Sequence, residues 1–188
     1  MLLPDDLQEL LSALDDNDRR TGELARDLDD ERFNWRPDER SWSIAQCLDH
    51  LNVASAAYLA PMREALEAGR RKGMERRGPI RPGFLERWFV AEMGPSPKRR
   101  LRAPRKIVPA AHKGRTEVMA DWRRWQEETR DLLREAAGVD LNRTRFVNPF
   151  VPLLRFTVGT GFLVIATHQR RHLLQGETVK ANPGFPVG

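Results

Sequence analysis

Pro4-Asp5-Asp6-Leu7-Gln8-Glu9-Leu10-Leu11-Ser12-Ala13-Leu14 decides the fold class. Its leucines recur at spacings of three and four, which places them on one face of a 3.6-residue helix and on neither face of a strand. The stripe continues through Thr21, Leu24, Ala25 and Leu28. Pro4 suits a first-turn position, and Asp5 and Asp6 sit where the helix dipole favours negative charge. The pattern predicts a helix over about 4–29, ended by a connection containing Trp35, Pro37 and Asp38.

The same period recurs three more times. Ser41 or Ser43 caps a second helix over about 43–71, with Ile44, Cys47, Leu48, Leu51, Ala54, Tyr58 and Met62 on its apolar face. Pro61 interrupts that pattern and predicts a kink or break near Tyr58. A third helix is expected over about 110–137, carrying Val118, Met119, Trp122, Trp125, Leu132 and Leu133, with Gly138 as its stop. The fourth spans about 158–179, with Val164, Ile165, Leu173 and Leu174. Four amphipathic helices in 188 residues read as an all-α chain, a four-helix bundle in one domain covering 1–188. The connection over 73–108, rich in Gly, Pro and Arg, carries at most a short helix near 84–93. So long a link lets helices two and three run parallel, which makes it a crossover.

Composition narrows the class. Hydrophobic residues are 40% and charged residues 31% of the chain, enough for a core and unlike a disordered protein. The longest uncharged apolar stretch, 156–167, is far short of a membrane span. The start lacks the basic and apolar regions of a secretory signal, and Cys47 has no partner for an intrachain disulfide, so a cytoplasmic protein is expected. The net charge of +5 is uneven: residues 70–106 hold thirteen Lys/Arg against Glu75, Glu86 and Glu92. That segment is either a solvated loop or a phosphate-contacting surface, and it lacks the aromatic pattern of single-strand binders. A nucleic-acid role is the weakest of the readings.

His168 and His172 are four apart on the fourth helix, about 40° around its axis, the spacing with which two imidazoles meet one metal ion. Gly161, Val164 and Ile165 share their face, so the pair points inward. Arg170 and Arg171, lying between the two, are expected to face elsewhere. His50, on a face with Cys47, Ala54 and Ala57, is a candidate third imidazole, although spacing alone does not select it. Each histidine taken singly reads equally as a packed or surface residue, and His112, beside Lys113, reads as surface.

Trp42-Ser43-Ile44-Ala45-Gln46-Cys47-Leu48-Asp49-His50-Leu51 resembles the first-ligand motif of the DinB-like/YfiT family. Leu101-Arg102-Ala103-Pro104-Arg105-Lys106-Ile107-Val108-Pro109 is similar to that family's basic crossover. Asn148-Pro149-Phe150, followed by Ala166-Thr167-His168-Gln169-Arg170-Arg171-His172-Leu173-Leu174-Gln175, resembles its last helix. The likeness runs in order over about 4–180. It implies up-down-down-up topology, a zinc or nickel ion on His50, His168 and His172, a homodimer, and thiol-dependent transferase or isomerase activity on low-molecular-weight thiols.

Around such a site Gln175 would orient a ligand or pack at the bundle rim, and Cys47 is either a small core residue or a fourth ligand. Asp49 points away from His50, while Asp15, Asp16 or Asp18 could hold an imidazole's second nitrogen. The leading functional reading is a metal-dependent thiol S-transferase or hydrolase. The alternative is a non-catalytic metal-binding stress-response protein, for which three ligands are one fewer than structural zinc usually has. Phe84, Trp88 and Phe89 in the basic connection need a covering surface, which a homodimer would supply.

Overall fold

A computed structural model describes residues 3–95 and 109–186. Most of the fold is helical: α1 (Asp5–Ala25), α2 (Asp30–Asn34), α3 (Ile44–Arg71), α4 (Phe84–Glu92), α5 (Arg115–Glu135) and α6 (Val158–Lys180). Two short strands, β1 (Arg145–Val147) and β2 (Arg155–Thr157), pair antiparallel with Phe146 opposite Phe156. No helix among the described residues is long and apolar enough to cross a membrane. The stretch similar to a basic crossover lies, up to Val108, outside the described residues.

The four long helices fall where the apolar stripes put them, and their ends show what periodicity misses. α1 stops at Ala25 rather than near 29, because Asp27 takes a positive φ of 58° and turns the chain. The unexpected α2 follows, capped by the Asp29 carboxylate, which accepts the Arg32 backbone N–H at 2.8 Å, and anchored by the fully buried Phe33. Ser43 is the cap of α3. Its hydroxyl accepts the Gln46 N–H while the Gln46 side chain accepts the Ser43 N–H, both at 3.0 Å.

Of the kink or break expected near Tyr58, the break does not occur: α3 is continuous through Pro61. A proline inside a helix costs about 3 kcal/mol. Burial of Tyr58, Leu59 and Met62 beside it outweighs that, at roughly 1.5–3 kcal/mol each. α5 starts at Arg115 rather than near 110, since the segment before it is tied down elsewhere: the Ala110 N–H bonds Asp49, and Lys113 exchanges two bonds with Asn34. Gly138 ends the helical run inside a 3-10 turn, Ala136–Gly138. The hairpin escaped the pattern because three-residue strands are too short to show an alternation.

Contacts give the helix directions. Asn52 donates to the Val118 carbonyl and Arg70 to that of Glu135, so numbering rises together along α3 and α5. Along α1 and α6 it also rises together, from Asn17 at Ala166 to Leu24 at Lys180. α3 meets α6 in the opposite sense, with Met62 at Gly161 and His50 at His168. At that crossing a Cβ on Gly161 would lie 2.6 Å from the Met62 Sδ and 3.0 Å from the Phe146 ring. Only glycine fits there.

Two apolar clusters fill the interior. One gathers Leu7, Leu14, Tyr58, Met62, Leu132 and Phe162, the other Leu24, Ile44, Leu48, Trp122, Leu173 and Val179. On every long helix the stripe is interrupted between them by buried polar residues: Asn17 and Thr21, His50 and Asn52, Gln126 and Thr129, Gln169 and His172. Asn17 spans this layer, donating to the Ala166 carbonyl at 3.0 Å and the Gln169 side chain at 3.2 Å. A polar layer at one height through an otherwise apolar interior marks where the fold gives up packing energy.

Candidate metal centre

The polar layer opens into a cluster of three imidazoles. His50 comes from α3, and His168 and His172 come one turn apart from α6. His168 Nε2 lies 3.3 Å from His50 Nε2 and 3.1 Å from His172 Nε2. The rings meet edge to face, with centroids 4.6 to 5.0 Å apart. His50 and His172 are buried and His168 is half-buried.

Burial dominates the electrostatics here. It holds the His168 imidazole well below its ordinary range and the His172 imidazole down at about 3, with the neighbouring rings and Arg171 acting in the same direction. Both rings are therefore neutral at pH 7 and present lone pairs. Lone pairs aimed at one another repel unless a proton or cation stands between them. An ion about 2.1 Å from each of two tetrahedral ligands would set those ligands about 3.4 Å apart. The observed separations are close to that, so the donor set fits a divalent metal.

The surroundings settle several expectations. The Gln175 Oε1 lies 3.0 Å from His172 Nδ1, so this ring donates through Nδ1 and leaves Nε2 as its lone-pair nitrogen. Gln175 thus sits beside an imidazole of the cluster. Cys47 is fully buried, burial pushes its thiol up, and it lies outside the three-residue group. Asp49 points away as expected, taking the Lys113 ammonium at 3.0 Å. Asp15, Asp16 and Asp18, expected to back an imidazole, are instead engaged by Arg130, Arg19 and the Trp122 indole N–H. They lie on the α1 faces toward solvent and α5. His112 is exposed, as expected.

One neighbour was not foreseen. Trp42, half-buried just before the α3 cap, stacks on His172 with centroids 5.4 Å apart and leans on His50 at 4.9 Å, forming a wall of the cluster. Its only sequence signal is its place beside Ser43. Arg170 is exposed and lines a groove of about 610 Å³ between α4 and α6, away from the rings as expected. Arg171 is half-buried and donates to the Glu92 carbonyl at the end of α4 at 2.9 Å, and its charge is one of the smaller influences on both α6 imidazoles.

A search of curated proteins and a search of solved structures each found no match to this chain. The family model that does match is described as DinB superfamily, and it covers residues 6–175, from the start of α1 to the glutamine that orients His172. All three imidazoles lie within that span, and on a match over so much of its length the chain belongs to the DinB superfamily.

Proposed function

We propose that this protein is a metal-dependent enzyme, a thiol S-transferase or a hydrolase, using one zinc or nickel ion held by His50, His168 and His172. The observation that carries the reading is the convergence of three Nε2 atoms, with no carboxylate or thiolate in the group among the described residues. Three neutral donors leave a divalent ion its full charge and a position open to water or substrate, whereas structural zinc sites close with four protein ligands. When bound, the ion supplies the Lewis acidity that turns water or a thiol into a nucleophile near neutral pH. The chain's own residues do the rest. Gln175 holds the His172 tautomer, Trp42 walls the cluster, and the polar layer keeps the imidazoles at one height.

The architecture we propose beneath the site is a single domain, a four-helix bundle of up-down-down-up topology formed by α1, α3, α5 and α6. Its support is the parallel run of contacts in α3–α5 and α1–α6 together with the opposed α3–α6 pair. Metal analysis of the full-length protein should return one zinc or nickel ion per chain, and a screen of low-molecular-weight thiols with electrophilic acceptors, alongside hydrolysable esters and amides, should return turnover. Metal without turnover would favour the non-catalytic alternative, and no affinity for either ion would end both readings.

We also propose a cytoplasmic homodimer. Support for the dimer is the outer face of α4, where Phe84 and Leu85 are 78% and 67% exposed and Trp88 is 45% exposed. Phe89, grouped with them from the sequence, turns inward instead and packs on Phe156 with centroids 4.8 Å apart. Light scattering at micromolar concentration should report twice 21.6 kDa, and a Phe84→Glu, Trp88→Glu chain should fall to one copy. A wild-type chain that stays a single copy would refute the dimer.

A further inference from the structure

Trp42 stands one residue before the Ser43 cap, and the reciprocal Ser43–Gln46 bonds fix the direction in which the chain enters α3. From there its indole touches one imidazole from each helix of the cluster. It lies on His172 with the ring planes 22° apart and the centroids 5.4 Å apart, and against His50 at 4.9 Å and 54°. His172 is thereby held in two directions. The Gln175 Oε1 meets its Nδ1 at the ring edge, 3.0 Å away, and the indole covers a face. A hydrogen bond at one edge leaves a ring free to rock about that bond, and a stacked neighbour stops the rocking. Trp42 itself is half-buried, whereas the two imidazoles it touches are buried.

The face of an indole is the negative part of its quadrupole, and of the aromatic side chains it attracts a cation most strongly. A neutral imidazole stacked on that face gains an ordinary aromatic contact. Bound to a divalent ion, the same ring carries part of the ion's positive charge, and the contact becomes a cation–π attraction. A contact that is stronger in the metal-loaded state than in the metal-free one tightens metal binding by the same factor. We infer that Trp42 is a positioning residue of the metal centre, whose indole face holds the His172 imidazole and tightens binding of a divalent cation by stabilising the charge that ring takes from it. This rests on the proposed three-histidine metal site and adds to it a residue outside the ligand set. A wall that only excluded water would be served as well by leucine.

The test uses the full-length chain, stripped of metal by chelation and titrated with zinc in competition with a chromophoric chelator. Trp42→Leu keeps apolar bulk without an aromatic face, and Trp42→Phe keeps a face with a weaker pull on cations. Trp42→Leu should bind zinc about three- to thirtyfold more weakly than wild type, the range of one cation–π contact, and Trp42→Phe should fall between. Thermal melts of each chain with and without zinc separate this from packing. The rise in melting temperature that zinc produces should be largest in wild type and smallest in Trp42→Leu, wherever each metal-free chain melts. A residue that only packs would lower the metal-free melt and leave both the rise and the affinity unchanged. Equal zinc affinity in wild type and Trp42→Leu, or a Trp42→Phe chain that binds as weakly as Trp42→Leu, would overturn the inference while leaving the metal site standing. A wild-type chain without affinity for zinc would instead remove the site beneath it.

Discussion

A His172→Ala chain should bind zinc or nickel at least a hundredfold more weakly than wild type, lose all turnover, and keep its helices. Groups that only orient metal-bound histidines already account for ten- to a hundredfold in affinity, so removing a ligand must cost more. The fold does not hang on this ring, because the interior is built from two apolar clusters to either side of the polar layer. Truncating one partly polar side chain there should cost about 1–3 kcal/mol, the range for a small cavity and a lost hydrogen bond. Isothermal titration with metal, the activity screen and a thermal melt on the same sample separate these effects. Gln175→Ala provides the scale, with folding intact and affinity lower by about ten- to a hundredfold. A His172→Ala chain that melts as far below wild type as the chelated protein does, with no activity in either wild type or variant, would make the ion a structural staple.

The metal-free protein should lose stability steeply as pH falls from about 6.5 toward 4.5. In the native state burial holds His172 at about 3 and His168 well below its ordinary value, while both rings in the unfolded chain titrate near 6.5. Above 6.5 neither state binds the proton and nothing is lost. Below it the unfolded chain takes up protons that the native state refuses. Each ring then removes about 1.4 kcal/mol per pH unit. For His172 over two units that is roughly 3 kcal/mol, a large part of an ordinary domain's stability, and His168 acts in the same direction. Equilibrium unfolding in urea, measured between pH 7.5 and 4.5 after exhaustive chelation, reads this directly. His168→Gln with His172→Gln should flatten the curve. Asp16, Asp29 and Asp38 have carboxyls held below their usual range, so these three titrate beneath this window. A flat wild-type profile would mean that the rings are charged or solvated in the native state.

The four long helices were legible because their leucines and aromatics repeat over five or more turns, a signal that local exceptions barely disturb. Some of their ends were not: Asp27 turns the chain at a positive φ that no apolar stripe reports, and Asp49 holds Ala110 outside α5 from 61 residues away. At Pro61 the sequence left a kink or a break open, and burial beside it carries α3 through without the break. At the site, the His168–His172 pair followed from helical spacing alone, while His50 entered through the Trp-Ser…His-Leu motif. Trp42 was the clearest miss, since no helical period places a residue ahead of the α3 cap against His50 and His172.

The three imidazoles are unequal in sequence distance: His168 and His172 are one turn apart, whereas His50 is 118 residues from His168. Two donors of the set therefore appear as soon as α6 coils, on the sub-microsecond scale of helix formation and without help from the rest of the chain. The third arrives only when α3 has docked, after closure of a loop of 118 residues. A partly folded chain thus offers an ion a weak two-nitrogen site, and only the finished α3–α6 contact offers the tight one. Tight binding becomes a read-out of docking itself, so the metal off-rate followed during unfolding would time the parting of these two helices.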